Sequence, residues 1–215
     1  MAVKVNTKAH LYFEKSIERS KTLLDVHKHI TQEGGRPFWW ASDILRATVV
    51  LIMSSWDSYL HDVIQERTPS FVRSRKGKDM PKKLVEIFRE AIPYEKLLEV
   101  WHEEKPDVII STAIRKHNSE RTFMKPDKAE EALKILGIDD MWKLAAKQFG
   151  RRKDGLKTVF QGYARRRDQI AHEGDTGKAT RSKGKLRSIR RPYVEGCLAD
   201  VRRLVSIIDS HIGNN

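Results

Sequence analysis

Arg167, Asp168 and His172 fall within Arg165-Arg166-Arg167-Asp168-Gln169-Ile170-Ala171-His172-Glu173-Gly174-Asp175, and their types suit proton transfer beside a phosphate. Histidine gives and takes a proton near neutral pH, and the donor fork of arginine holds a phosphate. RNA brings its own nucleophile, the 2′-OH. Its cleavage therefore needs a base for that proton, an acid for the leaving 5′-oxygen and positive charge for the phosphorane. None of these jobs needs a metal. Other chemistries lack their residues: there is no His-Glu-x-x-His, the eight histidines are scattered, one cysteine stands alone, and no Walker loop or Gly-x-Gly-x-x-Gly occurs. No metal or cofactor is expected.

The stretch places charge on an apolar face. Leu156, Val159, Phe160, Tyr163 and Ile170 recur at helical spacing, and Arg167 lies in line with Phe160 and Tyr163. A guanidinium there has to be paired, face a cleft or face a second subunit. Asp168 lies four residues before His172 and could orient its imidazole, or make only a weak surface contact. Arg167 and His172, five apart, point about 140° away from each other on an ideal helix. Two ways of joining them are open: the helix ends near His172, as Gly174 suggests, or two copies of the stretch meet across a two-fold axis.

Arg167-Asp168-Gln169-Ile170-Ala171-His172 resembles the Arg-polar-x-x-x-His signature of HEPN domains, and the surrounding Arg-Asp-Gln-Ile-Ala-His-Glu-Gly is most similar to the RiboL-PSP-HEPN branch. Two further stretches carry the likeness, in the right order from about residue 40 to 175. Arg46 to Met53, leading into Trp56-Asp57-Ser58-Tyr59-Leu60, is similar to the family's buried helix with its carboxylate near the end. Phe123 to Lys128, then Ala132-Leu133, Gly137-Ile138 and Trp142, is similar to the segment before the motif helix. The resemblance implies an all-α, HEPN-like helical bundle with additional short helices, and a metal-independent endoribonuclease working as a homodimer whose paired motifs line one cleft. Its catalytic residues would be Arg167, His172, Asp168 and Asp57; the alternative is an Arg167 paired with an internal carboxylate, a His172 favoured by the dipole at a helix C-terminus, and an Asp57 that is a surface residue or a cap. It further implies a toxin, stress or antiviral defence role, in which an antitoxin or regulatory protein would be a partner. Some HEPN toxins carry a modified tyrosine two residues after the histidine; Gly174 stands there, so regulation by that route is not expected.

The 215 residues are expected to form one domain with a generous core. Net charge is +13, and between Arg151 and Arg191 fourteen Lys and Arg face four Asp and Glu, a net of +10 in 41 residues that leaves +3 for the other 174. Such concentration beside the motif fits a polyanion, and RNA is the expected partner, with Arg151, Arg152, Lys153, Arg165, Arg166, Lys178, Arg181, Lys183 and Lys185 as its contacts. The longest nearly apolar run, Ala47 to Met53, falls short of the ~20 residues that span a bilayer, and Met1, Lys4 and Lys8 flank no signal core. Cys197 alone fits a reducing cytoplasm and is expected as core filler.

Periodicity and punctuation predict a helix over 8–32 with Leu11, Ile17, Leu24 and Ile30 inward, and a central helix over about 41–66. Trp39 and Trp40 before it are expected as hydrophobic anchors, with base stacking as the alternative. A loop is predicted over 67–80 because of Pro69 and Gly77. Helices follow at Lys82–Ala91, Tyr94 to about His102, and 107–118, the last with a short strand as the alternative. Two short helices end at Gly137 and Gly150, the motif helix runs from Asp154 to about His172, and a helix over about 192–212 returns to the core. Between these last two lies a basic flexible loop at about 173–188, a phosphate clamp or a solvated connector. A second class of function stays open: a non-catalytic helical module that holds RNA or an acidic protein through the basic block. A purely structural dimerisation subunit is a third.

Overall fold

From Ala41 onward apolar residues come so densely that one helix has to be surrounded: Leu45, Val49, Ile52, Met53, Trp56, Tyr59, Leu60, Val63 and Ile64 are each at most 2% exposed. The computed structural model describes residues 6–32, 40–75, 80–92, 106–177 and 184–213. Within them run α1 (Lys8–Gln32), α2 (Ala41–Arg75), α3 (Lys82–Ala91), α4 (Pro106–Asn118), α5 (Pro126–Leu133), a 3-10 turn (Lys134–Leu136), α6 (Met141–Phe149), α7 (Lys153–Glu173) and α8 (Arg191–Gly213). The fold is all-α, a helical bundle with additional short helices. Helix α2 is its axis, packed by α1, α4, α5, α7 and α8. Burying each aliphatic side chain along it contributes about 1.5–3 kcal/mol. No helix among the described residues is long and apolar enough to cross a membrane.

Two expectations are corrected here. Helix α2 does not stop near residue 66 but continues through Pro69 to Arg75. Pro69 cannot donate to the carbonyl of Gln65, yet it is buried, Thr68 Oγ1 donates to Ile64 O at 2.6 Å, and Arg67 Nη2 donates to Ile212 O at 3.0 Å. Phe71 and Val72 then pack on the core. Tertiary burial outweighs the local breaker. In α1, Ile17 and Leu24 do face inward, joined by Ala9, Phe13 and Ser20, whereas Leu11 is 52% exposed. The segment 107–118 is helical, not a strand. The helix expected from Tyr94 to His102 and the Trp39 ring lie outside the described residues, while Trp40 is 39% exposed.

Carboxylates from other helices hold the start of α1. Glu66 accepts from Lys8 N at 3.1 Å and Ala9 N at 2.9 Å, and Thr7 hydrogen-bonds the buried Asp209 of α8. Negative groups are favoured at a helix N-terminus, where amides lack partners. At the far side, Trp142 positions α7: its Nε1 donates to Pro126 O at 3.1 Å and its ring lies 5.2 Å from that of Phe160. Gly137 ends the 3-10 turn at φ 74°, and an added Cβ would meet the Phe71 ring at 3.2 Å. Cys197 is buried in the core, as its lone position suggested, and burial pushes its thiol well above the usual range.

Candidate active site

Helix α7 buries Leu156, Phe160, Tyr163 and Ala164, with Val159 and Ile170 partly covered. Tyr163 fixes its roll, donating to Asp200 Oδ2 of α8 at 2.9 Å. The helix then stops abruptly. Gly174 (φ 59°) and Asp175 (φ 56°) are consecutive left-handed residues, and both amides donate to Gln169 O. Glycine takes that conformation freely, and aspartate tolerates it better than most residues. The last turn thus leaves His172 exposed at the helix end.

Arg167 Nη1 lies 3.1 Å from His172 Nε2 and donates to Asp168 Oδ1 at 3.2 Å. The 140° between the two Cα directions is bridged by the length of the arginine side chain within one chain. Arginine only donates, so Nε2 is placed as the acceptor of this contact. Asp168 does not bond His172 directly; it meets the guanidinium and acts on the ring through it. Arg167 itself is largely buried, and its Nε has no hydrogen-bond partner.

Asp57, the fourth residue expected at the site, bonds the segment around Phe123. Its Oδ1 accepts from Phe123 N at 2.5 Å and from Thr122 Oγ1 at 3.2 Å, and the Phe123 ring sits 4.5 Å from that of His61. Asp57→Ala leaves the Phe123 amide unpaired and is expected to cost about 1–3 kcal/mol. Thermal melting measures that loss; a strong fall in activity at unchanged stability would instead return Asp57 to the chemistry.

The basic residues divide. Arg151, Arg152, Arg165 and Lys185 are exposed, with Arg151 Nη1 3.9 Å from Asp200. Lys153 pairs with Asp140 at 2.7 Å, which raises the lysine and lowers the carboxyl from their ordinary ranges through that hydrogen bond. Lys178, Arg181 and Lys183 lie outside the described residues. Arg166 is turned inward onto Asp175, with Nη1 2.6 Å from Oδ1 and Nη2 2.9 Å from Oδ2.

That carboxylate is the centre of a cluster that sequence reasoning missed. Asp175, 1% exposed, also takes Arg46 Nε of α2 at 2.5 Å. Arg46, 7% exposed, donates further to Ser42 Oγ at 2.6 Å, Asp43 Oδ1 at 3.1 Å and Arg187 O at 2.6 Å. The base of the basic loop is therefore pinned: Thr176 bridges Leu186, Gly177 N donates to Lys185 O at 2.9 Å, and Arg187 N donates to Asp175 O at 2.8 Å. The signal that could have found it is the one that singled out Arg167, an arginine between Leu45 and Val49 on an apolar stripe.

A model of the RiboL-PSP-HEPN family matches residues 14–214. The chain belongs to the RiboL-PSP-HEPN family. No curated protein and no solved structure matches it. In this RiboL-PSP-HEPN chain the match takes in every helix among the described residues except the first turns of α1, and both arginine clusters fall inside it.

Proposed function

We propose that this RiboL-PSP-HEPN chain is a metal-independent endoribonuclease that cleaves RNA by attack of the 2′-OH on the adjacent phosphorus. The observation that carries the reading is the 3.1 Å contact of Arg167 Nη1 with Nε2 of the exposed His172. On substrate entry a phosphate oxygen competes with Nε2 for the donors of Arg167. The released Nε2 takes the 2′-OH proton, the O2′–P bond forms, and the P–O5′ bond breaks to leave a 2′,3′-cyclic phosphate and a 5′-hydroxyl. Asp168 keeps the guanidinium aimed.

One motif supplies one imidazole, whereas this reaction uses a base and an acid. A two-fold dimer, in line with the family resemblance, would bring a second His172 to protonate the leaving oxygen. A cytoplasmic toxin, stress or defence role fits this activity. The test is purified protein with RNA in excess EDTA: fragments ending in 2′,3′-cyclic phosphate are expected. Intact RNA across a broad panel, with correctly folded protein, overturns the reading. The exposed Arg152, Arg165 and Lys185 favour a second one, a non-catalytic RNA-binding module, whose mark is binding that weakens with salt and yields no fragments.

A further inference from the structure

On the face of α7 that leads to His172, Gly162, Arg165, Arg166 and Gln169 form one wall of an open groove of about 530 Å³, and Arg190 and Tyr193, at the start of α8, stand on the other. Arg165 and His172 are seven residues apart, so helix geometry sets them about 20° apart around the axis and about 10 Å along it. The groove therefore runs toward the imidazole. Its charge comes from Arg165 and Arg190, both exposed, because Arg166 is paired with Asp175.

Tyr193 gives the groove its character. It is a large aromatic left 37% exposed beside two arginines, and its ring is set edge-on to that of Tyr163, centroids 5.7 Å apart at 68°. Tyr163 is in turn fixed by Asp200, so the exposed ring is braced before any ligand arrives. A braced aromatic face between cations matches an unpaired base and its flanking phosphates, since every base has a π-face and a duplex hides it. The Gln169 side chain, which both donates and accepts, stands on the same wall and can meet a base edge.

We infer that this groove seats an unpaired nucleotide of single-stranded RNA next to the cleaved bond, its base on Tyr193 and its phosphates on Arg165 and Arg190. The inference rests on the ribonuclease reading and adds strand selectivity to it, assigned to Tyr193, Arg190 and Gln169.

The test is equilibrium binding of a short RNA to full-length protein carrying His172→Ala, so that nothing is cut, over a series of salt concentrations. Tyr193→Leu keeps apolar bulk without a ring; it is expected to weaken single-strand binding about 5- to 150-fold with the salt slope unchanged. Tyr193→Phe is expected to bind like the parent. Arg165→Ala and Arg190→Ala should each flatten the slope of log K against log salt by about 0.7. The parent should prefer a single strand over a duplex of the same sequence. RNA binding that is unaffected by Tyr193→Leu and keeps its salt slope in both arginine variants overturns the groove assignment and leaves the ribonuclease reading standing, as does equal affinity for the duplex. No binding to any RNA overturns both.

Discussion

His172→Ala is expected to lower the rate of RNA cleavage in EDTA by about 10²- to 10⁴-fold, the range lost when a positioned proton-transfer group is removed. The argument lies in the atoms around the ring. Nε2 faces Arg167 Nη1 at 3.1 Å, and Asp168 holds the same guanidinium at 3.2 Å. Arg167→Ala should cost about 10²- to 10³-fold through loss of charge facing the phosphorane. Lysine at 167 is no substitute, because one ammonium cannot reproduce the planar fork. Asp168→Asn should cost less than either, since it acts through Arg167. Mixing wild type with an equal amount of His172→Ala separates a shared cleft from independent ones. If each cleft needs the histidines of two chains, activity falls to about a quarter of the undiluted wild type, whereas independent sites leave about half. Cleavage by His172→Ala within threefold of wild type sinks the assignment.

What could be read before folding was what depends on neighbours along the chain. Apolar spacing together with Gly137, Gly150 and Gly174 marks the ends of the short helices and of α7 to within a residue or two, because a left-handed glycine stops a helix locally. The order Arg167, Asp168, His172 carried the family likeness for the same reason. Pro69 misled because the burial that holds the last turns of α2 comes from residues far along the chain, among them Ile212, whose carbonyl takes Arg67. The expected obstacle between Arg167 and His172 came from Cα directions alone; a long flexible side chain crosses them. Arg166 read as an RNA contact because it stands in a basic run, yet its partner is nine residues on, past the end of its own helix. Asp57, open to a surface, capping or active-site reading, accepts from the Phe123 amide, 66 positions away. Hardest to see was Asp175, which looks like the first residue of a polar loop. Its partner Arg46 is 129 positions away, a distance no local pattern spans.

Asp175→Ala is expected to be the most destabilising single change in the charged part of the molecule, at about 3–5 kcal/mol. The carboxylate is 1% exposed and meets two guanidiniums, Arg46 at 2.5 Å and Arg166 at 2.6 Å. Removing it leaves Arg46 charged and buried in the bundle with its Nε partner gone. For a chain of this size the midpoint of thermal unfolding should fall by roughly 6–20 °C. Part of that loss is backbone: alanine at φ 56° pays about 1–2 kcal/mol for the left-handed conformation. Asp175→Gly lacks that penalty, so the difference between the two variants isolates it and the glycine value reports the ion pairs. Replacing both partners, Arg46→Met with Asp175→Leu, should destabilise less than Asp175→Ala alone, because no charge is then left buried. The consequence reaches the chemistry. Asp175 ends the turn that presents His172, and Arg187 N and Arg46 tie the same turn to α2, so Asp175→Gly should lower cleavage even at temperatures where the chain stays folded. Its circular dichroism would then match wild type while its activity would not. A melting midpoint of Asp175→Ala within two degrees of wild type would show that the cluster holds nothing in place.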